Sequence, residues 1–193
     1  GMHARKDNPE LARALELGIR VYSFPEFLYA QALNKKRVVI GGSHGKTTIT
    51  AMIMHVLKRC GMDFDYLVGS QVQGFDVMVR ISDNAPVMIF EGDEYLAAPF
   101  DPRPKFHLYR PHIALISGIA WDHINVFPDF EDYVEQFRIF AEMTEPGGSL
   151  IYNQEDELVR DIALNLRRKV VLIPYHTPDY TVKQDQSYLL HRD

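Results

Sequence analysis

The run Gly41-Gly42-Ser43-His44-Gly45-Lys46-Thr47-Thr48 lies between a β-branched stretch, Val38-Val39-Ile40, and a helical pattern. Glycines at such a junction let backbone N–H groups turn inward around an anion, and the N-terminus of the following helix adds partial positive charge. Lys46 then has the reach to touch β- and γ-phosphates, while Thr47 offers a hydroxyl to Mg2+. Gly42, Ser43, His44, Gly45, Lys46, Thr47 and Thr48 are therefore the candidate nucleotide-binding residues. A full phosphate loop has a glycine where Ile40 stands, five residues before Gly45. The glycines at 41, 42 and 45 also miss the G-x-G-x-x-G dinucleotide spacing. The competing reading is a glycine-rich strand–helix turn with an exposed lysine. His44 either donates to phosphate or merely caps the turn.

Phosphoryl transfer is mostly positioning and charge neutralisation, so a phosphate loop needs metal ligands nearby. Two places offer them. Val87-Met88-Ile89-Phe90 runs into Glu91-Gly92-Asp93-Glu94, with three carboxylates at the end of a buried strand. Ile113-Ala114-Leu115-Ile116 runs into a loop that ends Trp121-Asp122-His123. Open parallel sheets bind ligands at the carboxyl ends of their strands, where the phosphate loop also opens. The alternatives are a solvated acidic loop for 91–94 and, on spacing alone, a plain loop histidine for His123, since hard cations prefer oxygen ligands.

The elements that would position these residues alternate. Apolar runs at 87–90, 113–116, 149–152 and 169–173 read as buried strands beside 38–40. Helical patterns follow the phosphate loop, with Ile49, Met52, Ile53, Val56 and Leu57 on one face and Gly61 as the stop, and recur at 129–142 and 155–167. This predicts an α/β fold, a mostly parallel sheet with helices on both faces. Asn8-Pro9-Glu10 and Ser23-Phe24-Pro25-Glu26 open two short helices, the first stopping at Gly18 and the second near Asn34. Residues 1–36 read as a lead-in from an upstream domain. The polar stretch 175–193 shows no closing element, as if the chain were cut there.

Composition narrows the class. The 193 residues carry 21 Lys+Arg against 26 Asp+Glu, a net charge of −5, with 46% hydrophobic residues. That balance suits a globular domain and argues against a nucleic-acid surface, which carries a basic excess. No apolar run reaches the ~18 residues of a spanning helix, and the start lacks a signal-peptide core. One cysteine, Cys60, permits no internal disulfide and reads as a small buried apolar residue at a helix end. The expectation is a cytoplasmic domain with no membrane or nucleic-acid partner.

Taken together, these segments resemble the Mur ligases, the ATP-dependent amide-forming enzymes of peptidoglycan assembly. GGSHGKTT is similar to that family's G-T-x-G-K-T-T, which also lacks the first glycine, so Ile40 agrees with the resemblance. The stretch FEGDEYLAAPFDPRPKFHLYRPHIALISGIAWDHINVF (90–127) resembles the murein peptide ligase branch, roughly E-A-D-E-Y-D-x-A-F-F-D-K-R-S-K-F and later F-D-H-x-D-I-F. The alanine-adding branch has D-E-S-D in place of D-E-Y. Residues 8–34 and Tyr175-His176-Thr177-Pro178 also look like the murein peptide branch.

The resemblance implies three domains: an upstream one for the UDP-sugar, a central ATPase and a downstream one for the amine. This chain would be the central domain, residues 37–193, preceded by the lead-in 1–36 and truncated at its end. It implies ATP and Mg2+, with Lys46 on the β/γ-phosphates, Thr47 and Glu94 on metal, and His123 near a second metal. Lys46, Glu94 and His123 would be the catalytic residues. UDP-N-acetylmuramate and a murein tripeptide, L-alanyl-γ-D-glutamyl-meso-diaminopimelate, would be joined through an acyl phosphate, or L-alanine would be the amine instead. The family commonly has Asn where Gly118 stands, many members have Glu where Ala120 stands, and the branch usually has Asp where Leu96 stands. Arg138 occupies the place of a carbamylated lysine that this branch and the alanine-adding one do without. A phosphate-loop switch and a degenerate, non-catalytic domain are the readings from other classes.

Overall fold

The computed structural model describes residues 7–98, 101–122, 126–183 and 186–189. Its centre is a seven-stranded sheet. The strands are β1 (Lys36–Gly41), β2 (Asp65–Leu67), β3 (Val79–Arg80), β4 (Val87–Glu91), then, after a short antiparallel pair β5 (Leu96–Ala98) and β6 (Asp101–Pro104), β7 (Ile113–Ile116), β8 (Ser149–Asn153) and β9 (Val171–Tyr175). The sheet order is β3-β2-β4-β1-β7-β8-β9, parallel except for the β2–β3 pairing at one edge. β1 lies in the middle, with β4 and β7 as its parallel neighbours.

Among the described residues five helices complete it: α1 (Pro9–Glu16), α2 (Phe24–Gln31), α3 (Lys46–Arg59), α4 (Phe130–Glu142) and α5 (Glu157–Leu164). Their starts follow local chemistry. Asn8, Asp129 and Asp156 accept backbone N–H bonds from the first turns of α1, α4 and α5, and Ser23 with Glu26 closes a capping box on α2. The expected α/β sandwich is the observed one. Successive residues of β1 point to opposite faces: Val39 joins the core under α4, α5 and α2, and Ile40 joins the core under α3. β4 alternates in the same way, with Met88 and Phe90 on the first side and Ile89 on the second.

Four expectations need correction. The run at 169–173, read as a buried strand, forms β9 at the sheet edge, with Val171, Leu172 and Ile173 exposed. The buried side of α3 runs through Thr50 and Met54, with Ile49, Ile53 and Leu57 partly covered, whereas Met52 and Val56 are 64% and 56% exposed. Cys60, at the C-cap of α3, is exposed rather than buried. The final stretch carries an antiparallel pair, β10 (Tyr180–Lys183) and β11 (Gln186–Leu189), where no element was expected. Among the described residues no helix is long and apolar enough to cross a membrane.

A single 3-10 turn, Lys105–Leu108, ties α4 to the sheet. Phe106 stacks on Phe140 with centroids 4.7 Å apart, and His107 Nε2 donates to the carbonyl of Gln136 on α4 at 2.8 Å. Burial is the main cause that pushes the His107 imidazole below its ordinary value; the Gln136 bond only partly opposes it, and Arg103 adds to it. The unfolded chain therefore binds a proton that the folded chain refuses, in the window just below the ordinary histidine value of ~6.5. Stability is full above that value and falls as pH drops through the window. His112, also lowered mainly by burial, acts in the same direction. Urea midpoints should be lower at about pH 5.5 than at about pH 7.5, and His107→Gln should flatten that slope. An unchanged slope in the variant would remove His107 from the acid response.

Candidate functional site

β1 ends at Gly41, and the chain turns through Gly42-Ser43-His44-Gly45 into α3. Gly42 has φ +130, and a Cβ there would lie 2.0 Å from Ser117 Oγ and 3.0 Å from Ser117 N. A side chain is excluded both by conformation and by the loop after β7. Gly45, in the left-handed region, caps α3 without any side-chain bond, and the first turn of α3 holds no acid. The positive end of the helix is thus left for a ligand. His44 and Thr48 are exposed on the loop, and Ser43 is buried beneath it.

Lys46 is turned back into its own loop. Its ammonium donates to the carbonyls of Gly42 (2.7 Å) and Ser43 (3.3 Å) and pairs with both carboxylate oxygens of Glu94, Oε1 at 3.2 Å and Oε2 at 2.9 Å. Glu94 is wholly buried. Thr47 Oγ1 donates to Glu91 Oε1 at 2.7 Å, and Glu91 Oε2 accepts from the Gly69 N–H at the same distance. Asp93, the third acid of the cluster, turns away to pair with Lys105. The crossing that brings Glu94 under the loop needs Gly92, whose N–H donates to the Ile40 carbonyl and whose added Cβ would sit 2.8 Å from that oxygen.

The loop after β7 is bound to the phosphate loop through backbone. Ser43 N donates to Gly118 O and Ser117 N to Gly41 O, while Ser117 Oγ donates to the His44 carbonyl at 2.7 Å. The Ala120 N–H donates to Ser43 Oγ at 2.9 Å. Asn153 and Asp156 brace this loop from β8 and the start of α5, bonding Ser117 O (3.1 Å) and Ile119 N (2.8 Å). Gly118 and Ala120, where side chains were expected from the resemblance, contribute main-chain atoms instead. His123 lies outside the described residues.

One side chain was missed in the sequence. Tyr133, fully buried on the first turn of α4, places its hydroxyl 2.9 Å from Ser43 Oγ and donates to Glu94 Oε1 at 3.4 Å. Burial pushes its phenol well above the usual range, so it stays a donor. Sequence alone gives an apolar helix position there, because Tyr133 falls on the face that packs Phe127 and Phe137.

Three strand ends, of β1, β4 and β7, therefore meet at the loop that carries Lys46. The donors near Thr47 are all oxygens, as Mg2+ requires. Among the described residues no three acidic, histidine or cysteine side chains gather closely enough to hold a metal alone. Thr47, Glu91 and Glu94 offer the oxygen ligands that such a cation takes alongside phosphates and water. The residues fit the group. Gly42→Ala should cost about 2 kcal/mol or more, from backbone strain and the clash with Ser117, read as a lowered urea midpoint. A stability equal to the parent would contradict the close approach of the two loops.

Comparison with known proteins follows the same lines. The Mur ligase middle domain profile matches residues 40–189. Over 158 residues the chain is 32% identical to the UDP-N-acetylmuramate–L-alanyl-gamma-D-glutamyl-meso-2,6-diaminoheptandioate ligase of Haemophilus influenzae, covering 81% of this chain and 34% of that protein. It is 34% identical over 167 residues to the UDP-N-acetylmuramate–L-alanine ligase of Caldicellulosiruptor saccharolyticus, covering 86% of this chain and 35% of that one. The crystal structure of the UDP-N-acetylmuramate:L-alanyl-gamma-D-glutamyl-meso-diaminopimelate ligase from Neisseria meningitides superposes with a TM-score of 0.77 at 27% identity, over 89% of this chain and 56% of that chain. The chain spans about a third of the length of the curated relatives it matches.

Proposed function

The chain belongs to the Mur ligase family through its middle domain, and from that premise we propose that it is the ATP-binding part of a cytoplasmic carboxylate–amine ligase of peptidoglycan synthesis or recycling. The observation that carries the reading is Lys46, held with Thr47 between Glu91 and Glu94 where β1, β4 and β7 end. In this reading residues 1–36 lead in from a UDP-sugar domain, residues 37–193 are the ATPase, and a further domain presents the amine.

A free carboxylate is a poor electrophile, so it must be activated. The carboxylate oxygen of UDP-N-acetylmuramate attacks the γ-phosphorus, the bond to the β-phosphate oxygen breaks, and ADP leaves. The amine of L-alanyl-γ-D-glutamyl-meso-diaminopimelate then attacks the acyl carbon, phosphate departs, and the nitrogen gives up a proton. Lys46 exchanges its loop carbonyls and Glu94 for the β/γ-phosphates, and the loop N–H groups with the start of α3 hold the same charge in place. Thr47 and Glu94, with Glu91 beside Thr47, would hold Mg2+. When bound, that cation supplies charge neutralisation as the phosphoryl group moves between oxygens. His123 is assigned to a second metal by resemblance alone.

The murein tripeptide is favoured as the amine partner by the pattern over 90–127 and by the resemblance of residues 8–34. The second reading, L-alanine, is favoured by the 34% identity to the Caldicellulosiruptor enzyme, so relatives of both kinds match. Assay of the full-length protein with UDP-N-acetylmuramate and each amine separates them: tripeptide should be the substrate, and turnover with L-alanine alone would reverse the assignment. Lys46→Ala in that protein should lower ATP-dependent amide formation by about a hundred- to a thousandfold, the scale of one lost charge-stabilising donor. Phosphate release that needs no muramyl substrate would point to a switch instead.

A further inference from the structure

Four groups in the site form an ordered relay. The Ala120 N–H can only donate, and it donates to Ser43 Oγ at 2.9 Å. A carboxylate can only accept, and Glu94 Oε1 accepts from Tyr133 at 3.4 Å. Between these fixed ends the Ser43 hydroxyl and the Tyr133 hydroxyl, 2.9 Å apart, each have one proton to give. Only one arrangement serves all of them: Ala120 N–H to Ser43, Ser43 O–H to Tyr133, Tyr133 O–H to Glu94. Each bond polarises the next in the same direction, towards the carboxylate.

We infer that Tyr133 is a positioning residue that holds Glu94 when Lys46 leaves it for a nucleotide phosphate, and so couples nucleotide binding to the cation. The inference rests on the proposed nucleotide-binding reading. Glu94 is wholly buried, and Lys46 is its charged partner in the described structure. Losing that ammonium is costly for a carboxylate at such depth, and an incoming cation offsets the loss. Tyr133 is a neutral donor that stays in contact through the exchange. Its ring is locked between Phe127 and Phe137, with centroids at 5.4 and 5.2 Å, so the hydroxyl cannot follow Lys46 away. The same hydroxyl reaches Ser43, and through Ser43 the loop after β7, so the phosphate loop, α4 and that loop are fixed to one carboxylate.

The test uses Tyr133→Phe, which keeps the ring and removes only the hydroxyl. ATP is titrated calorimetrically into the 193-residue chain, once with excess Mg2+ and once with EDTA, with the thermal melt recorded alongside. The parent should bind more tightly with Mg2+. In Tyr133→Phe the affinity with Mg2+ should fall about tenfold, the scale of a hydrogen bond to a charged group, while the affinity in EDTA and the melt stay close to the parent. Val134→Ala, which loosens the neighbouring packing of α4 but keeps the hydroxyl and both rings that hold it, should leave the ratio of the two affinities unchanged. An unchanged ratio in Tyr133→Phe, equal losses in both media, or the same loss of ratio in Val134→Ala would overturn the positioning role. Absence of any ATP binding by the parent would instead overturn the nucleotide-binding reading beneath it.

Discussion

Taking an ammonium and a carboxylate out of water together is costly, and the cost is offset only when the two ions touch and their remaining protons and lone pairs are bonded. Lys46 and Glu94 meet those terms. The ammonium is directed at Gly42 O, Ser43 O and Glu94, and Tyr133 adds a donor on the carboxylate side. Each of these bonds asks something of the fold. The carbonyl of Gly42 faces inward because Gly42 adopts a backbone closed to other residues, and Glu94 reaches the pair because Gly92 lets the end of β4 cross beside Ile40. The sheet order supplies the rest, since β1 must lie between β4 and β7 for the three strand ends to meet.

The pair also sets the order of events in the proposed chemistry. A nucleotide that took Lys46 alone would remove an ammonium from the buried Glu94, and a cation that took Glu94 alone would leave Lys46 on its loop carbonyls. Phosphate and cation arriving together replace both partners at once, and no buried charge is left uncompensated. Thr47 fits the same logic. Its hydroxyl is engaged by Glu91, whose other oxygen is held by the Gly69 N–H, so the loop after β2 is tied to the same exchange.

The central sheet was legible because its strands are β-branched, buried on both faces and long enough to stand out: 36–41, 87–91, 113–116 and 149–153 all appear as apolar runs. The phosphate loop was legible from glycine spacing and the lysine. Short elements were not. β2 holds three residues, one of them Asp65, wholly buried and paired with Lys35, and a charge inside a strand hides it from any hydrophobic pattern. β5 and β6 carry two prolines and a bulge, so no alternation survives. Tyr133 escaped for another reason. A tyrosine on a helix's apolar face looks the same whether its hydroxyl is idle or bonded, and only the approach of α4 to the strand ends gives it partners. Asp156 likewise reads as a helix cap, and it is one, but its second oxygen also braces Ile119.

Gly118 and Ala120 bear on how such a site can be assembled. In the resemblance these positions carry side chains, yet here both serve through main-chain atoms, Gly118 by its carbonyl to Ser43 N and Ala120 by its N–H to Ser43 Oγ. A main-chain donor is aimed by the trace of the loop rather than by a rotamer, so its direction costs no side-chain entropy and does not change when the ligand arrives. The Gly118 position also lacks room for much more, since an added Cβ would lie 3.3 Å from Asp156 Oδ2, which is already bonded to Ile119 N. What the loop loses in polar side chains, the buried hydroxyls of Ser43 and Tyr133 return from the other side. The constraint thereby moves from the loop itself to the packing of α4, and the aromatic contacts that hold Tyr133 become part of the site's geometry rather than of the core alone.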